Sequence, residues 1–210
     1  MTYFYIDTTS KYLYTGIVKD NALLAEYKEE LGSNLSVYTI KIVDDMFKKV
    51  NLTSRDIDKI IVVNGPGSFT GIRIGVTLAK IYAYSLKKDI TTISSLEAMK
   101  ESVKTDKLIV PIINARRGSC YAAIYDNDEV IMKEEYLTIE KLMLILKGLN
   151  KDYLFVSNDS FDFDTVKYDP DILRIVTKYK DREKINAHLV NPSYLKLTEA
   201  EENKGLKYND

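Results

Sequence analysis

The sequence predicts an α/β fold built from two successive halves, each opening on antiparallel strands and continuing into alternating strands and helices. Three observations lead there. Runs rich in aromatic and β-branched residues, joined by tight turns, stand at the start of the 210-residue chain. A wholly apolar run, Ile60-Ile-Val-Val63, reads as a strand buried on both faces, as in a parallel sheet under helices. The same succession of strands and helices then recurs in the second hundred residues.

The elements follow in order. Residues 3–6 form a strand ending at Asp7, and 12–18 and 22–28 form two more, turned by Asp20-Asn21. A helix lies near 35–50. Val37, Ile40, Val43, Phe47 and Val50 recur on it at helical spacing and make one apolar face. Tyr38, Ile42 and Met46 make a second, partial stripe, while Lys41, Asp44, Asp45, Lys48 and Lys49 face solvent. After the buried strand comes a glycine-rich loop and a helix over 72–86. A strand follows near 90–93, and Ser94 or Ser95 caps a helix running to about 102.

In the second half, Leu108–Asn114, Tyr121–Asp126 and Glu129–Glu135 read as strands. Thr138 caps a helix that runs to Leu146 and stops at Gly148. Residues 153–156 form a strand, 171–185 a helix, and Asn191-Pro192 opens a C-terminal segment that frays after Leu206. Lys104-Thr-Asp-Lys107 marks the boundary, giving an N-terminal subdomain over 1–104 and a smaller, degenerate one over 105–210. This duplicated pattern is the plan of the actin-like ATPase (ribonuclease H-like) fold.

Composition narrows the function. Hydrophobic residues make up 45% and charged residues 29%, as in an ordinary soluble globular protein. Residues 1–100 carry 13 Lys+Arg against 11 Asp+Glu, and the remainder 17 against 20. Neither half has the basic excess of a nucleic-acid-binding domain. Cys120 is the only cysteine, so no intrachain disulfide can form, and it reads as a small buried hydrophobe. The start, Met1 to Asp7, lacks a basic leader region, and no run approaches the length of a membrane span, so a cytoplasmic protein is expected. His188 is the only histidine and reads as a surface or half-buried side chain. Neither a His-Glu-x-x-His zinc motif nor a histidine-rich metal site can therefore exist. Lys178, Lys180, Arg182 and Lys184 are interrupted by Asp181 and Glu183 and read as a solvated helix face.

The most informative stretch is Gly65-Pro66-Gly67-Ser68-Phe69-Thr70-Gly71-Ile72-Arg73-Ile74-Gly75. Backbone N–H groups at the start of a helix could hold an anion here. It is not a Walker A loop, because Ile72 and Arg73 follow Gly71 where Lys and Ser/Thr are needed. Nor does its glycine spacing match the dinucleotide fingerprint. The alternative is a tight turn that lets a helix pack closely on a strand, with Gly75 allowing close backbone approach. Asp7-Thr8-Thr9-Ser10 could be a degenerate phosphate loop. It could equally be a strand-end carboxylate accepting N–H bonds in its own turn.

The Gly65–Gly75 run resembles the signature of the TsaB (YeaZ) family, Gly-Pro-Gly-Ser-Phe/Tyr-Thr-Gly-x-Arg-Ile-Gly, without a gap. Ile6-Asp-Thr-Thr-Ser10, Ile93-Ser-Ser-Leu-Glu-Ala98, Asn114-Ala-Arg-Arg-Gly118 and Asn191-Pro-Ser-Tyr-Leu-Lys196 resemble further family segments in the same order. Asn114 departs from the family's usual Asp, Ser119-Cys120 from a common Glu-Val, and Ser33-Asn-Leu-Ser36 lacks a frequent His-Ser pair.

The resemblance implies an actin-like fold with a degenerate second half. It further implies a non-catalytic subunit of the complex that places threonylcarbamoyl groups on the tRNA adenosine beside the anticodon. The implied partners are a TsaD-type catalytic paralogue, a TsaE-type ATPase, a second copy when the chain is alone, and tRNA only through the complex. It implies no metal and no intrinsic cofactor, with ATP or ADP entering only in the assembled complex.

Three absences agree. Thr8 stands where an ATPase phosphate loop (Asp-x-Gly) needs glycine, the chain has no Gly-Gly pair to grip adenosine, and the histidines of the catalytic paralogue are missing. The family's partner contact falls on the two N-terminal helices. The second apolar stripes, Tyr38, Ile42 and Met46 on the first and Ile74, Leu78, Ile81 and Tyr82 on the second with Arg73 exposed beside them, read as that interface or as a wide core-facing band. Charge substitution at Leu78 and Tyr82 is expected to abolish pairing while leaving the monomer folded. The rival readings are an independent actin-like ATPase or small-molecule kinase, and a homodimeric interaction module with no role in tRNA.

Overall fold

The computed structural model describes residues 1–195. Strand β1 (Thr2–Asp7) pairs antiparallel with β2 (Tyr12–Lys19), and β2 with β3 (Ala22–Glu30). On its other edge β1 pairs parallel with β4 (Lys59–Val63), and β4 with β5 (Asp89–Ile93). The order is β3-β2-β1-β4-β5. The second half repeats it. Strands β6 (Leu108–Asn114), β7 (Ser119–Asp126) and β8 (Glu129–Thr138) form the meander, and β9 (Tyr153–Ser157) and β10 (Val166–Lys167) add in parallel. Identical order and strand direction make this the duplicated actin-like α/β fold. The second copy is the poorer one, with a two-residue fifth strand.

Side-chain alternation sorts the core into layers. Phe4, Ile6, Ile60 and Val62 point to one face of the first sheet, under α1 (Leu35–Lys49) and α2 (Phe69–Leu86). Tyr3, Tyr5, Ile61 and Val63 point to the other, where α3 (Ser95–Lys100) and α5 (Ile172–Tyr179) separate them from Ile109, Ala123 and Val156 of the second sheet. Leu108, Val110 and Ile112 pack outward onto α4 (Ile139–Leu149). Six of the sixteen tyrosines (Tyr3, Tyr5, Tyr14, Tyr125, Tyr168 and Tyr179) are buried in the central layer between the halves. None of the described helices is long and apolar enough to cross a membrane.

Several boundaries differ from the sequence reading, each for a local reason. Helix α2 starts at Phe69 instead of 72, because the Ser68 hydroxyl accepts from Gly71 N and caps it there. Helix α4 runs past Gly148 and ends on Asn150 in the left-handed conformation. Helix α5 ends at Tyr179 instead of continuing to 185. There the Lys59 ammonium takes the carbonyls of Lys180 (2.7 Å) and Arg182 (2.5 Å). The Arg182 guanidinium forks onto Glu97, so of the basic residues in the 178–184 run only Lys178 lies on the helix, and 180–184 form a strap.

The largest correction concerns α1. Its buried face is Leu35, Thr39, Val43, Met46 and Phe47, while Val37 (64% exposed) and Ile40 (63%) face solvent. Thr39 can sit inside because its hydroxyl donates to Leu35 O at 2.6 Å. The fraying expected after Leu206 lies outside the described residues.

Candidate functional site: the signature loop, the interdomain cleft and the α1–α2 face

The signature loop is tied to the turn between β1 and β2. Thr8 is the tie. Its hydroxyl donates to Gly71 O (2.7 Å) and accepts from Gly75 N (3.0 Å), while Ser68 N donates to Thr9 O (2.6 Å). A Cβ on Gly71 would stand 2.1 Å from Thr8 O, and one on Gly75 2.5 Å from the Thr8 hydroxyl. Only glycine lets the helix come this close. Ser95 fastens the other side, donating from N to Gly65 O (2.9 Å) and from Oγ to Pro66 O (2.6 Å). The N–H groups of Ser68, Gly71 and Gly75 are thus spent inside the protein. The loop is built as a tight helix-on-strand turn.

Asp7 closes its own turn in the same way. Its carboxylate, 2% exposed, accepts from Thr9 N (2.8 Å) and Thr9 Oγ1 (2.7 Å), with the Tyr168 hydroxyl at 3.4 Å. Burial outweighs these bonds and pushes its pKa up to about 6. Ser10 lies partly buried at the end of the turn, its hydroxyl accepting from Tyr12 N.

A cleft of about 760 Å³ opens beside this turn, between the two halves. Its walls include Asp7, Phe69 and Met99 from the first half and Asn114, Arg116 and Asn158 from the second. Asn114 serves its own loop: its N donates to Asp159 Oδ2 and its Oδ1 accepts from Arg116 N, both at 2.8 Å. Arg116, Arg117 and Gly118 then follow with positive φ.

Cys120 is fully buried, which pushes its thiol up to about 11, so it packs as the expected small hydrophobe. His188 is exposed, its ring edge-on to Tyr84 at 4.8 Å. No group of three or more His, Cys, Asp or Glu able to hold a metal occurs among the described residues.

Helices α1 and α2 enclose a groove of about 480 Å³ whose walls include Thr39, Ile40, Arg73, Ile74, Leu78 and Ile81. The residues assigned to this face from sequence divide. Tyr38, Arg73 and Ile81 are exposed. Ile42, Ile74 and Tyr82 are half-buried against the outer core, with the Tyr82 ring 5.9 Å from Phe4. Met46 and Leu78 are core residues, each 6% exposed. Charge at Leu78 would therefore attack folding before pairing. Val37, Ile40 and Phe69, which the periodicity and the loop reading put elsewhere, supply the exposed apolar surface instead.

Comparison with known proteins agrees with the architecture. A family model described as TsaD, tRNA N6-adenosine threonylcarbamoyltransferase, matches residues 29–175. The tRNA threonylcarbamoyladenosine biosynthesis protein TsaB of Bacillus subtilis is 31% identical over 221 residues, covering 96% of this chain and 96% of that one. The TsaB of Buchnera aphidicola subsp. Schizaphis graminum is 30% identical over 156 residues, covering 66% of this chain and 74% of its own. The solved structure of YeaZ from Pseudomonas aeruginosa shares the fold with a TM-score of 0.77 at 17% identity, covering 92% of this chain and 99% of that chain. Similar to a TsaB along almost its whole length, and laid out on the YeaZ fold, the chain belongs to the TsaB (YeaZ) family.

Proposed function

We propose that this chain takes part in tRNA threonylcarbamoyladenosine formation as a non-catalytic subunit that docks a TsaD-type catalytic paralogue through the α1–α2 face. The pathway assignment is supported by the whole-length likeness to a protein named for that biosynthesis. The partner role is carried by one observation. Ile40, Phe69 and Ile81 expose apolar side chains on the walls of one groove, and α1 exposes Val37 and Tyr38 as well, where a monomer would ordinarily show polar helix faces. The spent N–H groups of the signature loop argue against a phosphate-gripping ATPase on this chain alone.

In this reading the same face pairs two copies when the partner is absent. A TsaE-type ATPase and tRNA meet the chain only through the complex, in the cytoplasm, and ATP or ADP binds only there. The test is size-exclusion chromatography with light scattering, on the chain alone and with its TsaD-type paralogue, beside a tRNA modification assay with this chain left out. A one-to-one heterodimer lost in Ile40→Glu, together with loss of modification when the chain is omitted, is the expected result. A wild-type heterodimer formed by Ile40→Glu and Ile81→Glu would overturn the docking face. Modification that continues without the chain would overturn the pathway role.

A further inference from the structure

We infer that Arg73 is the polar anchor of this face and pairs end-on, through its two terminal nitrogens, with a carboxylate on a helix of the docked paralogue. The inference rests on the docking role proposed above and goes on to state what the partner must present.

Arg73 is exposed, yet it is held. Its guanidinium lies 3.8 Å from the centre of the Phe69 ring, and its Nε donates to the Tyr194 hydroxyl at 3.1 Å. Tyr194 is itself fixed: its ring stacks on Phe69 at 5.3 Å and 26°, and the preceding chain is bonded to the loop. Ser193 N donates to Asn64 O (2.7 Å), and Asn64 Nδ2 donates to Asn191 O (3.0 Å). A long, flexible side chain is thereby set in one orientation before any partner arrives, which lowers the entropy lost on binding.

With Nε spent, Nη1 and Nη2 have no acceptor among the described residues. The groove beside them is walled by Ile40, Ile74, Leu78, Ile81 and threonines, with no carboxylate among its described lining. The two acids of α1 are held within their own helix, Asp45 by Lys41 (2.7 Å) and Asp44 by Lys48 (2.5 Å). An apolar helix laid over this groove would bury donors that must then be satisfied. A planar fork of parallel N–H groups matches a carboxylate in two bonds, which a lysine ammonium cannot copy. The occupant that fits is thus an amphipathic helix with apolar side chains for the groove and one Asp or Glu at its rim.

The test uses the full chain and the full-length TsaD-type paralogue, with affinity measured by calorimetry. Arg73→Lys keeps the charge and loses the fork, and is expected to weaken binding by about tenfold. Arg73→Glu is expected to weaken it by about 100-fold or more, with the fold unchanged by circular dichroism. Changing the paralogue's interface acids to Lys one at a time should reveal one position that restores binding to Arg73→Glu. Wild-type affinity in both Arg73 variants, with binding abolished by Ile40→Glu, would overturn the anchor and leave the docking face standing. Wild-type affinity in Ile40→Glu would instead bring down the docking face and the anchor with it. Retained paralogue affinity with weakened tRNA retention in Arg73→Glu would mean a phosphate, not a carboxylate, is the group read.

Discussion

Asp7 and Glu134 are two carboxyls that the fold holds in the wrong environment for a charge. Asp7 is sealed in its own turn. Glu134, on β8, is half-buried near Glu97 and accepts from the Ser94 hydroxyl of the other half, and its loss of solvent pushes it up to about 7. The folded state binds these protons more tightly than the unfolded chain. Their contribution to stability is therefore complete below about pH 4 and declines as pH rises through about 6 and about 7. For Asp7 the ionised form costs roughly 3 kcal/mol at neutral pH. Asp7→Asn keeps the acceptor for Thr9 and removes the charge. It is expected to stabilise the protein by roughly 1–3 kcal/mol at pH 8 and to leave pH 4 unchanged. Urea midpoints at pH 4, 6 and 8 measure this, and a slope identical to wild type would refute it.

Glu101 is a third buried carboxyl, and it lies among three cations. It is 1% exposed, with Arg174 Nε at 3.1 Å, Lys178 Nζ at 3.0 Å and Lys100 Nζ at 3.2 Å. These contacts are close enough for ion pairs but not aligned as hydrogen bonds, since neither carboxylate oxygen has a bonded donor. Lys100 is itself buried, and Asp128 shares the load. Removing Glu101 leaves excess positive charge away from water. Glu101→Ala should destabilise by about 3 kcal/mol, read as a shifted urea midpoint. A loss under about 1 kcal/mol would mean that Asp128 suffices.

At the scale of elements, the junction of α2 with the β1–β2 turn governs whether the first half assembles. A methyl on Gly71 meets backbone, which cannot swing away, so Gly71→Ala is expected to cost about 3 kcal/mol or more. Thr8→Val keeps the shape and orphans a buried carbonyl and N–H, costing about 1–3 kcal/mol. Gly148 on α4 has nothing within 4 Å of its would-be Cβ, and Gly148→Ala should stabilise by about 0.5–1 kcal/mol. Chemical denaturation of the three variants checks the order, and a neutral Gly71→Ala would deny the packing role of the loop. This junction was half legible in sequence. Four glycines after a buried strand signal close approach, but the partner that they approach, Thr8, lies some sixty residues earlier and no local pattern points to it. The face of α1 was less legible. Val37 and Ile40 continue the apolar spacing of Val43 and Phe47, and hydrophobicity alone cannot tell a residue kept for the core from one kept for a partner.

Across the whole molecule, the halves are joined by more than a linker. The chain after residue 170 leaves the second sheet and lays α5 on the first, so that Ile172, Ile175 and Val176 complete the central layer. The strap beyond it pairs Ile185 N with Ile90 O (2.8 Å) and Ser193 N with Asn64 O (2.7 Å), returning to the edge strand and then to the signature loop. That return is what delivers Tyr194 to Phe69 and Arg73, beside the docking groove. A truncation after residue 170 is thus expected to expose the central layer and to precipitate or lose cooperative unfolding in calorimetry. A cooperative, soluble fragment would show that the first sheet stands without α5.

By itself the sequence determined what depends on neighbours in the chain. It set the order of the strands and helices except the two-residue β10, the duplicated plan, a serine cap at 94 or 95, the absence of a disulfide or a histidine metal site, and the loop whose residues carry the family likeness. These rest on side-chain period, backbone freedom and residue chemistry, all written locally. Tertiary structure alone decided which apolar stripe of α1 is core, where α5 stops, and that the signature N–H groups of Gly75 and Ser68 are spent on Thr8 and Thr9. It also decided that Arg73 stands clamped at the rim of an open groove. Each of these depends on which distant segment arrives to bury a surface or to satisfy a backbone group, and that is settled only when the whole chain has packed.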